Sequence, residues 1–252
     1  MGSGEPRPIV AIVQARMGSK RLPGKVLMDI EGSPMLLRVV ERARRAQTLD
    51  RIGVATTDLP TDDAVAEMCA RQGIDCFRGS SVDVLDRFYR AALAFHAAVV
   101  VRLTGDCPLI DPGVIDQTVR AFLESDADFA ANRLPEGRTF PVGLDTEVCS
   151  LAALERAWRE ASAAYEREHV MPFLYDPPGR FRVLQVHAPV DLGHLRWTVD
   201  TPQDLEFVRG VFAAFAGNDH FTWMQVADLV ARDPGLAARN AGVPHRRHTD
   251  AE

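Results

Sequence analysis

Apolar positions along this chain repeat at two spacings. Short, largely apolar runs from Ile9 to Val13, Arg51 to Thr56 and His96 to Leu103 carry the β-branched density of strands buried on both faces. Elsewhere the spacing lengthens to three and four residues. Leu36, Val39, Val40 and Ala43 form one such set, Val84, Leu85, Phe88, Tyr89, Ala92 and Phe95 a second, and Leu205, Val208, Phe212 and Phe215 a third. Each set draws one apolar face on a helix. The alternation continues through Pro112 to Glu124 and Ala127 to Ala130. This βαβ rhythm predicts an α/β fold with a doubly wound, mainly parallel sheet and helices on both faces.

Local signals add detail. Ser33 reads as an N-cap with Pro34 at the first helical position. The arginines of the helix that follows, Arg38, Arg42, Arg44 and Arg45, fall off its apolar stripe and are expected to face solvent. A second helix is predicted from Thr61 to Gln72, stopped by Gly73, with a short strand from Asp75 to Phe77 after it. Thr201, Pro202 and Asp204 spell a capping-box-like helix start. The rhythm breaks after Ala131. Residues 132–186 read as an inserted excursion, in which 144–150 alternates like a half-exposed strand, before Arg196 to Asp200 returns to the sheet. We expect a single domain over 1–252, with residues 239–252 as a poorly ordered tail.

Composition narrows the class. Lysine and arginine total 29 against 35 acidic residues, a net charge of −6, which argues against a nucleic-acid binder. No apolar run approaches the roughly 18 residues of a membrane span. MGSGEPRP reads as a flexible leader without a secretory core. Cys69, Cys76, Cys107 and Cys149 are scattered, as expected of reduced thiols in the cytoplasm. His245 and His248 offer a weak metal pair.

The positive charge is concentrated after the first strand. Gln14 to Lys25 holds Gly18 and Gly24 with Arg16, Lys20, Arg21 and Lys25, at the strand end where open α/β sheets place ligands. Glycines let backbone N–H groups approach an anion, and Arg16 and Lys25 can neutralise it. The guest this suits is a polyphosphate. A Walker loop is excluded, because five residues separate the glycines and Val26 follows Lys25. The dinucleotide pattern G-x-G-x-x-G is absent too.

QARMGSKRLPGKVLMDIEGSPMLLRVVERA resembles the opening of the sugar-acid cytidylyltransferases, which activate acylneuraminate, pseudaminate, legionaminate and Kdo with CMP. FRGSSVDVLDRFYRAA, VRLTGDCPLIDP, GLDTEV, EREHVMPFLY and RWTVDTPQDLEFV follow in the family's order, and the spore-coat polysaccharide type is the branch most resembled. The resemblance implies a nucleotide-diphospho-sugar transferase-like, three-layer fold, a homodimer formed through 132–186, and transfer of CMP from CTP to an anionic sugar. It places Gln14, Ala15, Arg16, Met17, Gly18, Lys25, Arg78, Asp83 and Arg87 around the nucleotide. Asp106 and Asp200 fall where the family holds Mg2+, and each also follows an apolar run that reads as a buried strand. Arg133, Asp145, Glu168, His169 and Arg196 lie in segments that surround the acceptor. Arg133 would pair with an acceptor carboxylate and Asp145 with sugar hydroxyls, and Asp200 is a candidate general base.

Alternatives remain at this stage. A nucleotide-sugar-dependent glycosyltransferase would be expected to carry D-x-D, and TGDCP has one carboxylate. A nucleotidyltransferase using another NTP with a sugar phosphate or phosphonate shares the loop. For the pair Asp83 and Arg87, four residues apart, the plain alternative is an exposed ion pair. A non-enzymatic nucleotide-binding subunit would have no need of Arg16, Lys25, Asp106 and Asp200 together.

Overall fold

The protein is represented by a computed structural model that describes residues 8–244. In chain order the strands are β1 (Ile9–Gln14), β2 (Asp29–Ile30), β3 (Ser33–Pro34), β4 (Arg51–Thr57), β5 (Asp75–Gly79), β6 (Val99–Thr104), β7 (Phe129–Ala131), β8 (Glu147–Ser150) and β9 (Val183–Gln185). The helices are α1 (Met35–Ala43), α2 (Asp63–Arg71), α3 (Val84–Ala94), α4 (Pro112–Leu123), α5 (Leu151–Glu160), α6 (Ala164–His169), α7 (Pro172–Tyr175), α8 (Pro202–Ala214), α9 (Trp223–Arg232) and α10 (Pro234–Ala238). Seven strands make one sheet in the order β5-β4-β1-β6-β8-β7-β9, and β2 with β3 forms a separate hairpin. Within the large sheet β8 runs against its neighbours and every other pairing is parallel.

The period of two along β1 divides the core. Ala11 and Val13 pack with α1, α2 and α4 on one face, while Val10 and Ile12 pack with α3 and α5 on the other. Each layer is closed by apolar burial, about 25 cal/mol per Å² removed from water. A third cluster lies under α8 and α9. Phe140, Leu144, Trp197 and Val199 meet Phe207, Phe212 and Trp223 there, which carries irregular segments back to the sheet's ligand edge.

Several sequence expectations are corrected. Ser33 does not cap α1: it pairs in the β2–β3 hairpin, and Pro34 stands at the N-cap without a side-chain bond. Arg38 and Arg42 are buried, because their guanidinium groups satisfy backbone carbonyls, those of Ile30 and Glu31 at the β2–β3 hairpin and of Gly217 in the case of Arg38. Arg42 donates to the carbonyls of Ile110, Asp219 and Phe221 and lies 4.2 Å from the Phe221 ring centroid. The run 144–150 is not half-exposed, since β8 is paired on both sides inside the sheet. The excursion after Ala131 is therefore partly sheet. Arg196 to Asp200 is not a strand. A single bridge joins Val142 to Arg196, and Trp197 N–H donates to the Val142 carbonyl at 2.6 Å. Residues 239–244 are described, and Asn240 is buried against α8, donating to Arg196 O and Asp204. The rest of the predicted tail, with His245 and His248, lies outside the described residues. The capping box of α8 is present as read, with Thr201 and Asp204 bonded reciprocally. Among the described residues no helix is long and apolar enough to cross a membrane.

Candidate active site

The loop after β1 is held at its ends and open in the middle. Ala15 N–H donates to Ala55 O, Met17 N–H donates to Asp62 Oδ1 at 2.6 Å, and Gly24 N–H returns to Met17 O at 2.9 Å. Asp62 is buried and also accepts from the Thr57 hydroxyl, so the loop is anchored on β4. Gly24 adopts φ 74, the left-handed region that a side chain disfavours, and opens the short 3-10 turn that carries Lys25. Between these anchors Arg16, Gly18 and Lys20 are exposed along a cavity of about 370 Å³.

Lys25 turns inward from that cavity. Its Nζ donates to Asp106 Oδ2 at 2.8 Å, Asp200 Oδ1 at 2.9 Å and Val199 O at 2.8 Å. Burial works against its charge, but Asp106 and Asp200 outweigh that and raise its pKa. Asp106 lies just past β6, and Val199 N–H donates to its carbonyl at 2.8 Å, which ties the irregular 196–200 segment to the sheet edge. The other Asp200 oxygen accepts from Arg196 at 2.7 Å and lies 3.1 Å from Arg21. Burial would lift the Asp200 carboxyl, yet Lys25, Arg196 and Arg21 hold it down at about 2.

A second cavity of about 200 Å³ shares Arg21, Arg102, Asp106 and Asp200 with the first. Its floor is a buried charge network. Glu147 on β8 accepts from Arg102 on β6 and, at 3.1 Å, from Arg133, and Arg102 also reaches Gln14 Oε1. Asp145 accepts from Arg138 at 2.6 Å, and Arg138 and Arg133 keep it ionised against its burial, with its pKa lowered. Gly143, at φ 109, lets this turn approach Thr198, because a Cβ would stand 2.6 Å from Thr198 N. His169 ends α6 and lines both cavities. The next residue, Val170, has φ 73, and Met171 N–H closes a tight turn onto His169 O at 2.9 Å. Such a conformation costs a β-branched residue of order 1–3 kcal/mol and recurs near functional groups. Beyond Arg133, Asp145 and Arg196 lies a third cavity of about 750 Å³, walled in part by Asn240, Ala241 and Val243.

Comparison with known proteins decides the family. The cytidylyltransferase family matches residues 10–220. The chain belongs to it. It is a nucleotidyltransferase of the sugar-acid cytidylyltransferase kind, similar to the spore coat polysaccharide biosynthesis protein SpsF of Bacillus subtilis, with 33% identity over 91% of this chain and 96% of that protein. A 3-deoxy-manno-octulosonate cytidylyltransferase of Anaeromyxobacter dehalogenans is 33% identical over 83% of this chain and 100% of that protein. Among solved structures, a cytidylyltransferase from Leptospira borgpetersenii superposes with a TM-score of 0.88 at 30% identity, covering 95% of this chain and 100% of that one.

Most residues expected at the family's site converge. Gln14, Ala15, Arg16, Gly18, Lys25, Asp106, His169 and Asp200 share the first cavity, and Arg133, Asp145, His169 and Arg196 the second. Others differ from expectation. Lys25 lines the cavity with its Nζ already engaged by carboxylates. Met17 serves through its backbone on Asp62. Arg78 donates to Thr57 O and Leu59 O and pairs with Asp63, which fixes the β4–β5 loops. Asp83 caps α3 and pairs with Arg167 of α6, not with Arg87. Arg87 is buried with one donor on Ser80 O, while its Nε and second Nη have no partner. Burial, then nearby Arg16, lowers its pKa to about 10. Glu168 is exposed, away from the two cavities. Arg133 and Asp145 are 3.6 Å apart and paired to each other's network. Reading the sequence missed Arg21, Arg102, Arg138 and Glu147. A signal existed for two of them: a charge inside a buried strand run, as at Arg102 and Glu147, demands a partner.

Proposed function

We propose that the protein transfers CMP from CTP to an anionic sugar acid and releases pyrophosphate. The observation that carries this reading is that two cavities meet at Asp106 and Asp200. One is lined by the cationic, glycine-bearing loop, and the other by side chains suited to a polar acceptor. The loop would hold the triphosphate, with Arg16 and the backbone of Ala15 to Gly18 against its oxygens. The acceptor hydroxyl would then face the α-phosphorus from the second cavity, in line with the departing pyrophosphate. Two buried Arg87 nitrogens without acceptors, each worth about 1–3 kcal/mol when left unmade, support a nucleotide contact from Arg87 itself, on the first turn of α3. A guanidinium offers five N–H donors, so Arg133 and Arg21 can receive an acceptor carboxylate beside their present partners.

Mg2+ fits the residues present. Asp106 and Asp200 both touch one ammonium, so their oxygens are no farther apart than two hydrogen bonds laid end to end. Among the described residues no cluster of three His, Cys, Asp or Glu could hold a metal by itself. That matches an ion that takes one or two carboxylates and completes its shell with phosphate and water. A divalent cation held there would neutralise charge on the phosphates. We further infer a two-fold homodimer through 132–186, tested by sedimentation at micromolar concentration, and a cytoplasmic enzyme drawing on the CTP pool.

Pyrophosphate release measured across four NTPs and a panel of sugar acids, sugar phosphates and phosphonates tests the reading. CTP with a sugar acid should give the highest kcat/KM. Activity confined to sugar phosphates, or equal with all NTPs, would overturn it.

A further inference from the structure

Lys25 donates three hydrogen bonds, all within 2.9 Å, which is the full capacity of an ammonium. It is 7% exposed. Two of its acceptors are the carboxylates that the functional reading assigns to the divalent cation. Its charge therefore lies between the ligands the metal would need. Carboxylates brought this close repel unless a cation joins them. The remaining Asp200 oxygen faces Arg196 and Arg21, while Asp106 Oδ1 faces the Cys107 thiol at 3.6 Å.

We propose that Lys25 is a built-in stand-in for the divalent cation, holding Asp106 and Asp200 together in the unliganded enzyme and leaving only when metal and nucleotide arrive together. This rests on the metal reading above. The exchange is electrostatic and no proton moves. A bare divalent ion meets carboxylates already neutralised, with an ammonium and two guanidinium groups close by, so its entry is opposed. A metal–nucleotide complex brings both charges required: a cation for the carboxylates and phosphate oxygens for the displaced ammonium. Lys25 already borders the cavity along Ala15, Gly18 and Ser19, so the amine has a short path to those oxygens. Metal binding is thereby made conditional on nucleotide.

The test uses Mn2+ on the full chain, with free Mn2+ read by electron paramagnetic resonance and with and without CTP. Wild type should bind Mn2+ at least tenfold more tightly with CTP than alone. Lys25→Met should bind Mn2+ alone at least tenfold more tightly than wild type, with the gain from CTP reduced. Its thermal midpoint should fall without metal and recover as Mn2+ is added. Lys25→Arg should keep the weak wild-type binding. Folded Lys25→Met with unimproved Mn2+ affinity overturns the proposal. So does wild type binding Mn2+ equally well with and without CTP, a result that needs no variant. Asp106→Asn and Asp200→Asn separate the two readings. If neither changes Mn2+ binding with CTP present, the metal site itself is misassigned. If both abolish it while Lys25→Met gains nothing, only the role of Lys25 falls.

Discussion

The two sides of the cleft that we propose as catalytic are built differently. The side we assign to the nucleotide stands on the parallel strands β5, β4, β1 and β6, and its chemistry is one continuous loop in which Arg16, Lys20 and Arg21 are exposed and Lys25 is buried. The acceptor side stands where β8 enters the sheet in the opposite direction. Its charges come from β6, β8, the 133–145 loop and the 194–200 segment, and they are paired, Arg102 and Glu147 buried and the others half-buried. At the exposed Arg16, then, charge contributes little to stability, whereas Lys25 of the same loop is buried and paired. On the acceptor side charge is structural first, because an ion taken out of water must be paired where it lies. Substituting Arg16 on one side and the paired charges on the other should separate the two, by activity in the first case and by stability in the second.

The largest effect should come from Glu147→Gln. Its carboxylate holds Arg102 and Arg133 at 2% side-chain exposure. Removing its charge leaves two guanidinium groups unbalanced, a loss of about 3–5 kcal/mol by the rule for a broken buried pair. Urea unfolding measures this, and a loss below about 1 kcal/mol would break the contrast between the two sides. Arg16→Ala is the converse. The side chain is exposed, so the thermal midpoint should hold, while loss of a charge-assisted phosphate contact costs about 1.5–3 kcal/mol in kcat/KM for CTP. Steady-state kinetics beside a melting curve decide it.

Asp145 sharpens the comparison through pH. Its pKa is lowered in the fold by Arg138 and Arg133. A lowered carboxyl contributes stability that is complete above its ordinary range near 3.8 and is lost as the pH falls through the folded value. Asp145→Asn should therefore cost about 1–3 kcal/mol near neutral pH and progressively less in acid. Urea titrations at neutral pH and below the ordinary carboxylate range test that sign, and a pH-independent penalty would refute it. The smallest effect distinguishes two cap signals. Thr201→Ala should cost about 1 kcal/mol, because its hydroxyl accepts from Asp204 N–H. Ser33→Ala should be nearly neutral, because no cap bond exists there.

Much of the nucleotide side was legible in the sequence because its determinants are local. An apolar run followed at once by glycines and cations dictates a buried strand and an anion-facing loop within about 17 residues. Helical spacing likewise picked out Leu36, Val39 and Val40, and Thr201 with Asp204 announced the start of α8. Only the tertiary structure decided where buried charge goes. Arg42 looked solvent-facing because its role depends on carbonyls at Ile110, Asp219 and Phe221, far away in sequence. Glu147 looked half-exposed because alternation cannot say whether a strand has neighbours on both sides. Lys25 was expected as a cation beside phosphate, and its partners in the structure are Asp106 and Asp200, on segments 81 and 175 residues further along the chain. Periodicity records which face of an element is apolar. The pairing of charges is a property of distance in space, and that is set only once the sheet has closed.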